Sequence, residues 1–509
     1  MRARTTAGYT TLAATTLFVA FLLHYPSLFE PRWYGDEGIF AAVAQNIRHG
    51  QTLYADAWDN KPPLIFFTYA GVQSTFGSGI LALHLVATIS VLATQLTVMT
   101  VALLLFGPRR SLVAGLIFAL AMGTPLIEAN LAMTETFMIL PASLAVLVYL
   151  LAERRAEQAR TPLYAIAGVL LGIAAGYKQV AVFDAAAIAT MICLMHARPM
   201  RPLTTIAAGF ALPQIALAAY FLAAGAFPQY WYAIVGSLGV YARLGPAQSP
   251  FARFAGLLPA LLACAWLARR RQLGREVRLT MFPILWLGFT VAGATSSSFP
   301  FPHYLQQAMP ALALVLVADP LAQEREHVGK IALAVGAVLV AAVVFGQFAF
   351  EYRTRTQLDP VDYYRTFIQH RYGGMDDDDY VFHFDGTVFT IRDITASIKR
   401  DGAGTTIFTW GELPWLYADA NVTNPARYYT SFLGEFIPGA KADILRDLNA
   451  HPPVYVVVSD EANAPFEELD AFVAARYVLI DAQDDDWRLY RLNTAAGSLT
   501  PQPARELPR

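Results

Sequence analysis

Long apolar stretches, separated by short polar connections, fill the first 350 residues of the chain. A membrane-spanning helix needs about 20 apolar residues, and all its backbone hydrogen bonds must be made internally. About eleven stretches meet this criterion: 8–29, 81–106, 111–127, 136–152, 162–177, 180–196, 203–224, 254–268, 279–297, 304–319 and 331–350. The pattern predicts an α-helical polytopic membrane domain over residues 1–350.

The charges in the short connections predict the orientation of this domain. Cytoplasmic connections of membrane proteins carry an excess of lysine and arginine. Here such residues occupy alternate connections: Arg2 and Arg4, Arg109-Arg110, Arg154-Arg155 with Arg160, Arg198 with Arg201, Arg269 to Arg271 with Arg275 and Arg278, and Arg325 with Lys330. We therefore expect a cytoplasmic amino terminus and an extracytoplasmic location for everything after about residue 350.

The remaining segment, 351–509, has a different pattern. A helix-like stretch at 465–475 lies among short β-branched runs: TTIFTW at 405–410, VYVVV at 454–458, YVLI at 477–480 and WRLYRL at 487–492. Strands that alternate with helices predict a small extracytoplasmic α/β domain. Its Trp410, Trp415 and Tyr417 could stack on a sugar, but a core role is favoured.

Composition agrees with a membrane protein and excludes several function classes. The 509 residues are 56% hydrophobic and 15% charged, whereas soluble domains are about 25% charged. The formal net charge of −2 and the lack of a basic tract argue against nucleic acid binding. Cys193 and Cys264 lie in apolar runs, so neither a disulfide framework nor a zinc site is predicted.

The first outer connection, 30–80, contains the residues best suited to catalysis. Asp36 and Glu37 follow the first membrane helix directly, and Lys61 precedes two prolines. Residues 38–49 have an apolar face at helical spacing, which predicts a helix in the membrane interface. Exposed carboxylates and a cation between lipid and water suit group transfer from a lipid phosphate.

Other ionisable and polar residues lie at the outward ends of the predicted helices. Such residues are costly at membrane depth and usually mark a site or a polar pathway. They are Glu128, Glu135, Lys178, Gln179, Arg243, Arg253, His303, Tyr304 and Gln306. Because they share one side of the membrane, we expect them to form one cavity that opens at the outer leaflet.

Ordinary structural roles are open for the same residues. Asp36 could cap the following helix, and Glu37 could stabilise its first turn. Lys61 could be an interfacial lysine that reaches the headgroups, and Lys178 could belong to a solvated turn. Glu128 and Glu135 could each pair with a nearby cation, and His303 could be a histidine at a helix start whose hydrogen bonds have only a structural role.

Several motifs resemble one known group of enzymes. They are Tyr34 to Gly38, the stretch from Gly50 to Leu64 that ends in WDNKPPL, Thr134-Glu135, Lys178-Gln179, and HYLQQAMPALAL from His303. In order and spacing, these motifs resemble the GT-C superfamily of membrane glycosyltransferases over residues 8–350. The nearest relatives are bacterial members akin to protein O-mannosyltransferases and the lipid A aminoarabinose transferase.

This resemblance implies inverting transfer of a sugar from a polyprenyl-phosphate carrier to a lipid, glycan or protein acceptor, at the outer face of a bacterial inner membrane. By match, Asp36 would be the general base, with Glu37 beside it. The aminoarabinose transferases have one acid here, so either carboxylate could act. Phosphate contacts would come from Lys61 first, and then from the second choices Lys178, Arg243 and His303.

Four further residues would bind or orient the acceptor: Glu128, Glu135, Tyr304 and Gln179. The first outer connection has no Asp-X-Asp pair, so we expect a reaction without a metal or other cofactor. A transporter or flippase of lipid-linked sugars is the main alternative, although no matching pair of broken helices is found. A catalytically inactive scaffold is disfavoured because Asp36, Glu37 and Lys61 are all present.

Overall fold

The computed structural model describes residues 2–244, 257–269, 274–297, 301–318, 359–401, 406–459, 465–483 and 486–493, with a few isolated positions between them. The chain divides into two compact units. The first, here the membrane unit, contains Met1–Arg32 and Asn60–Asp385. The second, here the α/β unit, contains Trp33–Asp59 and Gly386–Arg509.

The membrane unit is built of helices. They are Arg2–His24, Tyr25–Phe29, Leu64–Phe76, Ile80–Phe106, Pro108–Met122, Pro125–Ile127, Thr134–Glu153, Glu157–Ala159, Arg160–Tyr177, Gln179–Ala181, Val182–Met195, Met200–Ala223, Phe227–Trp231, Tyr232–Gly236, Ser237–Leu244, Leu257–Arg269, Arg275–Leu279, Phe282–Ala294, Pro302–Ala308, Met309–Val317, Pro360–Tyr372 and Asp377–Phe384. Every predicted apolar segment that the described residues cover lies on a helix, while 331–350, apart from Gly346, lies outside them. The predicted helical membrane fold is confirmed.

Among the described residues, six helices are long and apolar enough to cross a membrane. They are Gly8–Phe29, Ile80–Phe106, Thr134–Glu153, Glu157–Tyr177, Met200–Ala223 and Arg275–Ala294. The other predicted spans that the described residues cover form shorter helices, so the count by this criterion is below the predicted eleven. The protein is thus a multi-pass membrane protein.

Glycines allow two of the long helices to approach closely. A Cβ on Gly168 would come within 2.2 Å of the carbonyl oxygen of Ile206, and one on Gly209 within 2.3 Å of that of Ala165. Without a hydrophobic driving force in lipid, such small-residue contacts are the usual basis of helix association. This contact holds the helix Arg160–Tyr177, whose end carries Lys178.

The α/β unit has a four-stranded sheet, as predicted. Its strands are β1 (Ile407–Trp410), β2 (Tyr455–Ser459), β3 (Tyr477–Gln483) and β4 (Trp487–Leu492), in the order β1-β2-β4-β3. β1 and β2 are parallel, and the other pairs are antiparallel. The helices of the unit are Gly35–Arg48, Thr387–Asp401, Trp415–Ala420, Ser431–Phe436, Ala440–Ala450 and Glu467–Arg476.

The unit boundaries differ from the predicted division into 1–350 and 351–509. Residues 359–385 belong to the membrane unit, where the hydroxyl of Tyr363 donates to Oε1 of Glu30 at 2.5 Å. Residues 33–59, predicted as part of a membrane-domain loop, belong to the α/β unit. The reason is a set of contacts between distant parts of the sequence, which local patterns do not encode.

Candidate functional site

A cavity of about 330 Å³ lies within the membrane unit. Its polar lining residues include Lys61, Glu135, Lys178, Gln179, Tyr304 and Gln307. Apolar residues such as Val182, Phe183 and Leu238 form other parts of the wall. Of the residues that the sequence predicted to share one cavity, Glu135, Lys178, Gln179 and Tyr304 line it together with Lys61, while Arg253 lies outside the described residues.

Lys178 reaches this cavity because the chain breaks between two apolar helices. The helix Arg160–Tyr177 ends just before it, and Lys178 itself is extended, with φ of −154° and ψ of 134°. A 3-10 turn, Gln179–Ala181, follows, and the amide of Gln179 donates to the carbonyl of Ile234 at 3.2 Å. The Lys178 side chain is only 11% exposed, so a solvated turn does not describe it.

Glu135 and Lys178 form a buried ion pair at the cavity wall. The Glu135 side chain is 1% exposed, and its Oε1 accepts a hydrogen bond from Lys178 Nζ. The hydroxyl of Thr134 donates to the other carboxylate oxygen at 2.6 Å. Lys178 Nζ also lies 3.8 Å from the centroid of the Tyr304 ring. Because burying two charges costs solvation energy, such a pair argues for function more than for stability.

His303 connects this pair to a second carboxylate. Its Nδ1 is hydrogen-bonded to Oε2 of Glu128, and its Nε2 lies 4.0 Å from Oε1 of Glu135. The Phe301 ring stacks on the imidazole with centroids 5.5 Å apart. His303 and Glu128 are not among the residues that line the cavity. The structure therefore places them behind Glu135, where they can orient it.

Glu128 adopts an unusual backbone conformation. Its φ of 52° is in the left-handed region, which is uncommon for a residue with a side chain. The amide of Gln306 donates to the carbonyls of Ile127 and Glu128, at 3.0 and 3.1 Å, and supports this turn. Strained backbone that neighbouring groups hold in place is frequent at functional sites.

Lys61 and Arg243 have different positions relative to the cavity. Lys61 lines it, precedes the prolines that start the helix Leu64–Phe76, and donates to Oδ1 of Asn60 at 3.3 Å. Arg243 is exposed in the last turn of Ser237–Leu244. The lining includes its neighbours Tyr241 and Ala242 but not Arg243 itself.

Asp36 and Glu37 belong to the α/β unit, in the first turn of the helix Gly35–Arg48. The N-cap of this helix is Tyr34, so Asp36 is not the cap. Acids are favoured in a first turn by the helix dipole. Glu37 is fully buried, whereas Asp36 is partly exposed. Of the two carboxylates, Asp36 is therefore the more accessible to a substrate.

The α/β unit holds this turn through Trp415. Its indole N–H donates to the carbonyl of Tyr34 at 2.9 Å. A Cβ on Gly38 would lie 2.9 Å from the Trp415 ring, so only glycine fits beneath the indole. Trp410 and Tyr417 are also buried, and the predicted core role of the three aromatic residues is confirmed.

Glu412 is a buried carboxyl in the same unit that sequence reasoning missed. It accepts hydrogen bonds from the hydroxyl of Ser431 at 2.6 Å and the backbone N–H of Phe432 at 2.7 Å. Burial raises its pKa above the usual range, and the negative charge of Asp36 adds to the effect. A single glutamate between apolar residues gives no signal in the sequence.

Comparison with known proteins identifies the fold. The sequence matches no protein-family profile and no curated protein sequence. The structure is similar to that of ArnT from Cupriavidus metallidurans bound to undecaprenyl phosphate, with a TM-score of 0.58, 15% identity, and coverage of 98% of this chain and 100% of that one. The chain therefore shares the fold of that structure, in agreement with the fold that the motifs predicted.

A second group of similar structures is archaeal. The oligosaccharyltransferase of Archaeoglobus fulgidus, tethered to an acceptor peptide with the NVT sequon, gives a TM-score of 0.48 at 12% identity over 96% of this chain and 74% of that one. The structure of AglB from the same organism, in complex with an inhibitory peptide and a dolichol-phosphate, gives a TM-score of 0.46 at 11% identity. The match covers 96% of this chain and 75% of that one.

Proposed function

We propose that the protein is an inverting glycosyltransferase that moves a sugar from a polyprenyl-phosphate carrier to a lipid, glycan or protein acceptor, at the outer face of a bacterial inner membrane. The observation that carries the proposal is the cavity with Lys61 and Lys178 in a partly apolar wall. The two ammonium groups can bind the phosphate of such a donor, and the neighbouring apolar surface can contact its lipid chain. The ArnT structure with the same fold contains undecaprenyl phosphate, which supports such a carrier.

The reaction requires one displacement at the anomeric carbon. The acceptor hydroxyl attacks this carbon, and its bond to the phosphate oxygen breaks with the electron pair left on the phosphate. Asp36 accepts the proton of the attacking hydroxyl, as a carboxylate within hydrogen-bond reach can do. Lys61 and Lys178 stabilise the charge that develops on the leaving phosphate. A single displacement inverts the anomeric configuration.

The other polar residues act through Lys178 in this proposal. Glu135 fixes the ammonium, while Tyr304 covers it with its ring at 3.8 Å. Glu128 and His303 orient Glu135 from behind the wall. A preorganised cation needs no reorganisation when charge develops, which lowers the barrier. Acceptor contacts by Glu128, Glu135, Tyr304 and Gln179 remain predictions.

Transfer of a labelled sugar by the purified protein in liposomes tests the function. A panel of polyprenyl-phosphate sugars would be offered to wild type, Asp36→Asn, Glu37→Gln and Lys61→Ala. We expect wild type to release label from one carrier, and Asp36→Asn to remove this activity without unfolding the protein. Loss with Glu37→Gln alone would make Glu37 the base. Movement of intact lipid across the bilayer, without release of label, would instead indicate a flippase.

Chelation tests the expectation that no metal takes part. We expect the rate of transfer to be unchanged after treatment with EDTA, because lysines rather than a metal ion would meet the phosphate charge. The measurement is the initial rate before and after dialysis against the chelator. A loss of rate that Mg²⁺ or Mn²⁺ restores would contradict this expectation.

A further inference from the structure

Gln307 is a lining residue whose amide is held in one orientation. The side chain is buried, with 2% exposure, on the helix Pro302–Ala308. Its Nε2 donates to the carbonyl of Val180 at 2.9 Å and to Oδ2 of Asp184 at 2.8 Å. A carbonyl and a carboxylate oxygen only accept hydrogen bonds, so the NH₂ group of the amide must face them.

This orientation leaves the amide oxygen of Gln307 as an acceptor at the wall. Among the described residues, it has no hydrogen-bond partner. This oxygen packs beside Gly293, another lining residue: a Cβ on Gly293 would come within 2.7 Å of it. Buried polar atoms are nearly always hydrogen-bonded, so an oxygen of this kind at a cavity points to a ligand.

Asp184 is the residue that fixes the amide. Its side chain is buried, with 1% exposure, in the first turn of Val182–Met195. While Oδ2 accepts from Gln307, Oδ1 accepts from the indole N–H of Trp286 at 2.6 Å. A carboxylate at this depth is costly. Asp184 therefore fixes which end of the Gln307 amide is the acceptor.

We propose that the Gln307 oxygen accepts a hydrogen bond from a hydroxyl of the sugar on the lipid-linked donor, and that Asp184 is its positioning residue. The inference rests on the proposed function, which puts the donor in this cavity beside Lys61 and Lys178. The phosphate diester and the hydrocarbon carrier have no hydroxyl to donate. Only the sugar of this donor carries hydroxyl groups, so Gln307 would select the sugar through one of these hydroxyls.

Binding of matched donors to the purified protein tests the inference without requiring transfer. The probes are a polyprenyl-phosphate hexose, its monodeoxy analogues and its deoxyfluoro analogues, compared by titration. A site that bonds a hydroxyl rejects an analogue that lacks it, by about 10- to 100-fold for one buried bond. We expect wild type to reject both analogues at one ring position, and Gln307→Met to lose this discrimination at that position alone.

Asp184→Asn provides a second test that leaves Gln307 in place. If the oxygen of the new amide still accepts from Trp286, its NH₂ group faces that of Gln307, and the two donors cannot bond. The Gln307 amide then keeps only the carbonyl of Val180 as an acceptor and is held less firmly in its orientation. We expect this variant to discriminate less than wild type does against the deoxy and deoxyfluoro analogues at that ring position.

Gln95 offers a matched control. It is also fully buried, its amide donates to the carbonyls of Thr16 and Gly115 at 3.0 Å each, and it does not line the cavity. We expect Gln95→Met to keep the wild-type discrimination. If folded Gln307→Met and Asp184→Asn both discriminate as wild type does, the inference is wrong. If the protein discriminates between the donor analogues through Gln307 but transfers no sugar, the inference stands and the proposed function is wrong.

Discussion

Lys178→Met should reduce the rate of sugar transfer at least about 100-fold and lower the free energy of unfolding by about 3–5 kcal/mol. The first effect follows from the loss of a cation at the leaving phosphate. The second follows because Glu135, 1% exposed, would be left as a buried charge without its ammonium partner. Transfer kinetics and thermal unfolding in detergent would measure the two effects separately.

The double variant Lys178→Met with Glu135→Gln separates catalysis from folding. Removing both charges should recover most of the lost stability, since replacing a whole buried pair is often nearly neutral. Transfer should stay low, because the cation is still absent. If the double variant transferred sugar as wild type does, Lys178 would have no role at the phosphate.

The residues of this ion pair could be predicted from the sequence, but their pairing could not. Lys178 and Gln179 interrupt an apolar stretch, and Glu135 begins another one. Charges are so costly in lipid that their presence alone indicates a site. The contact between Glu135 and Lys178 depends on how two helices pack, and nothing in either segment specifies it.

The membrane helices were predicted well for a related physical reason. Lipid leaves the backbone no partner outside its own helix, so length and hydropathy define most spans. The segments 111–127 and 180–196 show the limit of this criterion. They form helices Pro108–Met122 and Val182–Met195, which have 15 and 14 residues and are shorter than the length that a span needs.

The composition of the α/β unit was the largest feature that sequence patterns missed. Its strands could be predicted from β-branched runs, and the register joins Ile407 to Tyr455 as neighbours in a parallel pair. Its first helix, Gly35–Arg48, comes from a distant segment, as the 381-residue separation between Tyr34 and Trp415 illustrates. Gly38 lay within a recognised motif, but the indole that requires it could be identified only from the fold.

Trp415→Ala should lower the free energy of unfolding of the α/β unit by about 3–5 kcal/mol, the usual cost of removing a buried aromatic side chain. It should also reduce transfer, because the turn that carries Asp36 loses both its hydrogen bond at Tyr34 and its packing at Gly38. A displacement of about 1 Å at a reacting group can cost about 100-fold in rate. Unfolding of the purified protein and kcat of transfer are the measurements.

Trp410→Ala is the matched control for this prediction. Trp410 is similarly buried in the same unit, but its ring packs against Phe466, with ring centroids 4.8 Å apart, and against Gly434. Both variants should lose similar stability, yet below their unfolding temperatures only Trp415→Ala should lose most of its transfer. Equal losses of transfer would mean that the α/β unit matters only as a folded whole. An unequal loss would make Trp415 the residue through which this unit positions Asp36, the proposed general base.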